Sequence, residues 1–154
     1  MDIKTKLAEL GYKLPLAPAP AANYVPYVMS GNQLFVSGQI PFIDGKPAHQ
    51  GRAGDDYSVQ QAQEAAQICA LNILAQVNAA VDGDWLRVKK CVKLGGFVSC
   101  TADFTDQPLV INAASDLIVN VMGEAGKHAR FAVGAANLPL GVVVEIDAIF
   151  EIAG

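Results

Sequence analysis

The residues best suited to chemistry lie near the C-terminal end, in the stretch from Ala129 to Ile152, ARFAVGAANLPLGVVVEIDAIFEI. Its one cation, Arg130, offers a planar guanidinium that can grip a carboxylate through two parallel hydrogen bonds. Glu145 can serve beside it as an acid or base. Both sit in runs with the period-two pattern of half-buried strands, joined by the turn-like segment Asn137-Leu138-Pro139-Leu140-Gly141. In the second run Val142, Val144, Ile146, Ala148, Phe150 and Ile152 share an apolar face, and Glu145 and Asp147 fall on the other. In the first run Phe131, Val133 and Ala135 share one face, leaving Arg130, Ala132 and Gly134 on the other. The polar sides are expected to meet on one sheet face, with Ala132 and Gly134 leaving open space there. Pattern alone fits two readings of that face: a solvated surface, or a small anion site with an acid/base beside it.

The elements that must position these residues begin with a single domain over 1–154, long enough for a core of its own. Hydrophobic residues make up 52% and charged ones 17%, an apolar balance that suggests surface hidden against copies of the chain. A formal net charge of −4 provides no basic footprint, so no nucleic-acid partner is expected. No apolar run reaches the ~20 residues of a membrane span, and no charged-then-apolar leader opens the chain. Cys69, Cys91 and Cys100 lack metal-type spacing, and His49 and His128 stand apart from each other. A reduced cytoplasmic protein without a metal site is the expectation.

In chain order, residues 1–22 read as a short helix over Asp2–Leu10 followed by an extended strap set by Pro15, Pro18 and Pro20. A hairpin should turn at Gly31-Asn32, both with positive φ, and Gly38 should mark either a bulge or a close ligand approach. Gly51 to Asp56 reads as a flexible connection. Ser58-Val59-Gln60-Gln61 is a capping box opening a helix to about Ala80, with Cys69 on its buried stripe. Arg87 to Val98 is a strand, with a bend expected at Gly95-Gly96. A second helix begins near Asp106 or Gln107 and ends before Gly123, with Asn112 off its buried stripe. Two helices on one face of a mixed sheet give a two-layer α+β domain whose other sheet face is bare.

The chain resembles the RidA/YjgF family, the reactive-intermediate imine deaminases often labelled endoribonuclease L-PSP. The resemblance runs from about Tyr24 to Ile152. It rests on Pro26-Tyr27-Val28, Val36-Ser37-Gly38-Gln39-Ile40-Pro41, Val110-Ile111-Asn112-Ala113, Ala129-Arg130, Asn137-Leu138-Pro139 and Val144-Glu145-Ile146. It implies a chorismate-mutase-like fold in which the Arg87–Val98 strand separates the last two strands. It also implies a homotrimer with ligand clefts between subunits. Residue by residue it implies Arg130 as carboxylate-binding arginine, Glu145 as catalytic glutamate, and Tyr27, Ser37, Gly38 and Asn112 as cleft residues. Ala132 stands where the family has a cleft cysteine, Lys127-His128 replaces an aromatic–proline pair, and the Gly95–Gln107 stretch is longer than usual. The implied activity is cofactor-free hydrolysis of 2-aminoacrylate-type enamines and imines to 2-keto acids and ammonia. A non-catalytic trimer that binds a small keto or amino acid is the alternative. A ribonuclease is disfavoured by the acidic balance and by the absence of a His-His or His-Lys pair.

Overall fold

The computed structural model describes residues 2–20 and 22–154. Helix α1 (Ile3–Glu9) is capped by Asp2, whose carboxylate accepts from the Lys4 N–H at 3.1 Å. It buries Ile3 and Leu7, while Leu10, expected on the same side, is 37% exposed. Strands β1 (Tyr27–Ser30) and β2 (Gln33–Gln39) form the expected hairpin. Of its two turn residues, only Gly31 takes positive φ, at 62°. The short strands β3 (Phe42–Ile43) and β4 (Lys46–Pro47) make a separate ribbon.

Three strands, β5 (Val88–Ser99), β6 (Ala129–Ala135) and β7 (Val144–Ile152), complete a five-stranded sheet of order β1-β2-β7-β5-β6. Only β5 and β6 run parallel. A parallel neighbour cannot be reached by a tight turn, and helix α3 (Gln107–Met122) supplies the crossover. The last two strands are therefore not a hairpin: β5 lies between them, as the resemblance implies. β7 alternates strictly, with Val144, Ile146 and Phe150 fully buried on the face that the helices cover.

Helix α2 (Val59–Ala80) opens with the capping box: Ser58 Oγ accepts from the Gln61 N–H at 3.1 Å, and Gln61 Oε1 accepts from the Ser58 N–H at 2.9 Å. It lies over β2 and β7, and α3 lies over β5 and β6, so both helices share one sheet face. Cys69 is buried in that layer. From Asn72 to Val77 α2 is buried all round, more than its sequence stripe predicts. Two further segments cover its flank. Asn72 Nδ2 donates to the Ile40 and Phe42 carbonyls at 3.1 and 3.2 Å, and Gln76 Nε2 donates to the Pro18 carbonyl at 2.7 Å. These buried amides satisfy backbone groups that water cannot reach, and so pin the proline strap to the domain.

Two expectations about irregular backbone are corrected. The irregularities of β5 fall between Val88 and Lys90 and between Cys91 and Lys93, not at Gly95-Gly96, which keep register with β7 and β6. The two glycines answer to packing instead. A Cβ on Gly96 would lie 2.7 Å from Ile111 Cδ1, and one on Gly95 would lie 2.7 Å from Phe131 Cζ. The Gly51–Asp56 connection is docked rather than loose: Ala53 is fully buried and its N–H donates to the Ser99 carbonyl at 2.9 Å.

Candidate functional site

Strand register decides which face each candidate residue occupies. Arg130 pairs with Leu94, Ala132 with Gly96 and Gly134 with Val98, and residues paired across a ladder share a face. Leu94 and Val98 are fully buried under the helices, so Arg130 and Ala132 lie on the helix side. Glu145 pairs with Phe97 and Asp147 with Gly95, on the open side. Arg130 and Glu145 are thus on opposite faces with β5 between them, against the expectation that they share one. The alternation within each strand holds; the phase between β6 and β7 does not. The cause is local. On the open side Phe131 packs edge-on against Phe97, with ring centroids 5.3 Å apart, and Lys93 Nζ sits 5.4 Å from the Phe131 centroid. On the other side α3 offers oxygen acceptors to the arginine.

Those acceptors fix the guanidinium. Arg130 Nη1 donates to Ser115 Oγ at 3.1 Å and Nη2 donates to the Pro108 carbonyl at 3.2 Å. Five N–H donors less these two leave three, enough for a second, bidentate grip on a carboxylate. Ser115 Oγ also lies 2.9 Å from His128 Nε2, and His128 Nδ1 lies 2.6 Å from the Gly126 carbonyl oxygen. Lys127 turns away to Glu124, at 2.6 Å. Asn112, three residues before Ser115 on α3 and hence on a neighbouring part of the helix surface, is exposed. It lines a groove on the helix layer with Gln63, Asp116 and Asn120.

Across the sheet, the Glu145 carboxyl rests against Gly38. A Cβ at position 38 would lie 3.1 Å from Glu145 Cδ and Oε1, tighter than most real contacts. The missing side chain makes that approach possible. The register irregularity between Val36 and Gln39 bears out the bulge reading of Gly38, and the group that approaches it closely is the Glu145 carboxyl. Burial first, and the Asp147 carboxylate second, raise the Glu145 pKa above the ordinary carboxylate value. Burial raises Asp147 too, partly offset by its bond from the Gly95 backbone and by Lys93. Ser37 neighbours this site, but its hydroxyl donates to the Val25 carbonyl at 2.8 Å. Tyr27 pairs with Val36 and packs against the core on the helix side. The tyrosine in the pocket wall is Tyr24, together with Pro18, Pro20, Phe42 and Pro139.

One chain thus brings Ser37, Gly38 and Glu145 together, and separately Arg130, Ala132 and the α3 surface carrying Asn112. It does not bring the two groups together. Sequence reasoning missed Tyr24 and Ser115, and it marked His128 only as part of a pair that departs from the family pattern. Helical spacing from Asn112 could have indicated Ser115. Among the described residues no cluster of His, Cys, Asp and Glu could hold a metal, and no helix is long and apolar enough to cross a membrane.

Comparison with known proteins bears on the family and the fold. Residues 4–152 match a family described as YjgF/chorismate_mutase-like, which carries an endoribonuclease label. Protein TCP17 of Trypanosoma cruzi is 50% identical over 151 residues, covering 97% of this chain and 94% of that protein. The 2-iminobutanoate/2-iminopropanoate deaminase of Salmonella typhimurium is 34% identical over 133 residues, covering 86% and 90%. Among solved structures, an Agrobacterium tumefaciens protein of unknown function superposes with a TM-score of 0.92 at 54% identity, covering 97% and 92%. TdcF of E. coli with bound serine superposes with a TM-score of 0.65 at 27% identity, covering 89% and 94%. The chain belongs to the YjgF/RidA family, with its chorismate-mutase-like α+β fold.

Proposed function

We propose that the protein hydrolyses 2-aminoacrylate-type enamines and imines to 2-keto acids and ammonia, without a cofactor, at clefts between the subunits of a homotrimer. The observation that carries this reading is the Glu145 carboxyl, held against Gly38 with a raised pKa and no hydrogen bond or ion pair among the described residues. A base that is poorly solvated yet ionisable is suited to deprotonating water. The Arg130 guanidinium of a second subunit would hold the substrate carboxylate and place the imine carbon before that water. As water attacks the carbon of the protonated imine, its proton passes to Glu145 and a neutral tetrahedral carbinolamine forms. Glu145 returns that proton to nitrogen, the C–N bond breaks as the carbinolamine hydroxyl gives its own proton to Glu145, and ammonia departs to leave the keto acid. The relative named as an iminobutanoate deaminase supports the reaction class.

Each face of the sheet supplies only half of this machinery, which supports placing the site between chains. The bare side of the sheet carries Phe35, Phe97 and Val133, exposed at 41%, 36% and 43%, surface that a second copy would cover. Three buried free cysteines are consistent with a reducing cytoplasm.

A second reading, a trimer that binds a small amino or keto acid without turnover, draws on the serine in TdcF. A coupled assay separates them. With a threonine or serine dehydratase generating imines, this protein should accelerate keto-acid release; unchanged release together with keto-acid binding would favour the second reading. Given the net charge of −4, neither binding nor cleavage of single-stranded RNA is expected at physiological salt. RNA cleavage lost on Glu145→Ala would reverse that ranking.

A further inference from the structure

With the His128 ring neutral, the hydrogen bonds around Arg130 have one self-consistent direction. The Gly126 carbonyl can only accept, so His128 Nδ1, 2.6 Å away, carries the proton. In the neutral ring Nε2 is then an acceptor, and it takes the Ser115 hydroxyl hydrogen at 2.9 Å. Arg130 Nη1 can only donate, and it donates to Ser115 Oγ at 3.1 Å. The chain reads Arg130 to Ser115 to His128 to the Gly126 backbone, each member satisfied by the next. The Pro108 carbonyl holds Nη2 at 3.2 Å, so both terminal nitrogens are tethered and the Nε edge is spare.

We propose that Ser115 and His128 are positioning residues that fix the Arg130 guanidinium and direct its spare edge at the ligand carboxylate. The proposal rests on the reading of Arg130 as carboxylate holder. It places the work of His128 at a position where the family pattern has an aromatic–proline pair. His128 does not touch substrate. It keeps the Ser115 hydroxyl oriented, and through it the arginine.

Two measurements test the chain. Nitrogen-15 NMR of the parent should find His128 in the Nδ1–H form with Nε2 unprotonated, and an ordered Arg130 Nε–H that becomes mobile in Ser115→Ala. Calorimetric titration with pyruvate or 2-ketobutyrate should show Ser115→Ala weakening binding roughly tenfold, the loss of one hydrogen bond to a charged group. KM for imine should rise in parallel and kcat should fall less. Ser115→Thr, which keeps the hydroxyl, should restore most of the affinity. The double variant Ser115→Ala/His128→Ala should bind no worse than Ser115→Ala alone, because both act through one chain. Additive losses, or a His128 ring protonated at Nε2, would overturn the proposal. A parent that binds no keto acid would instead defeat the functional reading, and the Arg130 Nε–H mobility would then decide the positioning claim by itself.

Discussion

Arg130 is held by two hydrogen bonds to α3, whereas the Glu145 carboxyl makes no hydrogen bond or ion pair among the described residues and rests against a glycine. The cation's desolvation is offset by acceptors already in place, so it can wait in one orientation. The carboxylate is left under-solvated, and its proton affinity rises for that reason. Holding a ligand calls for the first arrangement and moving a proton calls for the second. The difference also explains why the two residues are on opposite sheet faces: α3 supplies the acceptors that Arg130 needs, and the bare side leaves Glu145 free of partners.

Glu145→Gln should have the largest effect. It keeps the shape of the carboxyl but cannot take up a proton, so imine hydrolysis should fall by roughly 10²–10⁴ while keto-acid binding changes little. The same variant has an expected effect on stability. The folded-state pKa of Glu145 lies above its unfolded value, so stability linked to this proton is full below the unfolded value and lost as pH rises through the folded one. Glu145→Gln removes that loss, so its melting temperature should exceed the parent's at neutral pH, with the gap closing in acid. A variant melting below the parent at neutral pH would mean that the carboxylate has a partner after all.

Arg130→Ala should come next, weakening keto-acid binding by about 2–5 kcal/mol, the cost of removing one partner of a desolvated charge pair. A loss nearer ~1 kcal/mol would mark the cleft as wet and the pair as exposed. Gly38→Ala should cost less, about tenfold in kcat, because its Cβ displaces the Glu145 carboxyl by only tenths of an ångström, whereas a 1 Å misplacement costs ~10². Asp147→Asn should be mildest. It removes the second cause of the raised Glu145 pKa, so the acid limb of the pH–rate profile should move to lower pH with the plateau nearly unchanged.

Much of the fold was legible in the sequence. The capping box at Ser58, the crossover helix after Pro108 and the alternation of β7 each express a local rule, and each holds. Alternation defines two faces of a strand, however, and does not say which face is inside. For β7 the unbroken apolar row removes the ambiguity. For β6 it does not, because Phe131 and Val133 face outward while Arg130 lies beneath α3, where Ser115 and Pro108 compensate its charge. Tyr27 and Ser37 came from the family resemblance alone, whereas Gly38 and Asn112 also stood out by pattern. The pocket wall of Tyr24 and the Pro18–Pro20 segment depends on Gln76 gripping the Pro18 carbonyl, a contact no short window of sequence contains.

The central claim is that a working site takes Arg130 from one chain and Glu145 from another. It can be tested by subunit mixing. Arg130→Ala and Glu145→Gln chains, each nearly inactive alone, are co-refolded in equal amounts at subsaturating imine. If each cleft of a ring draws one residue from each neighbour, about a quarter of the clefts regain both native residues, and about a quarter of parental activity should return. Mixed oligomers that form and remain inactive would contradict the shared site, since a site within one chain can never be repaired by its neighbour.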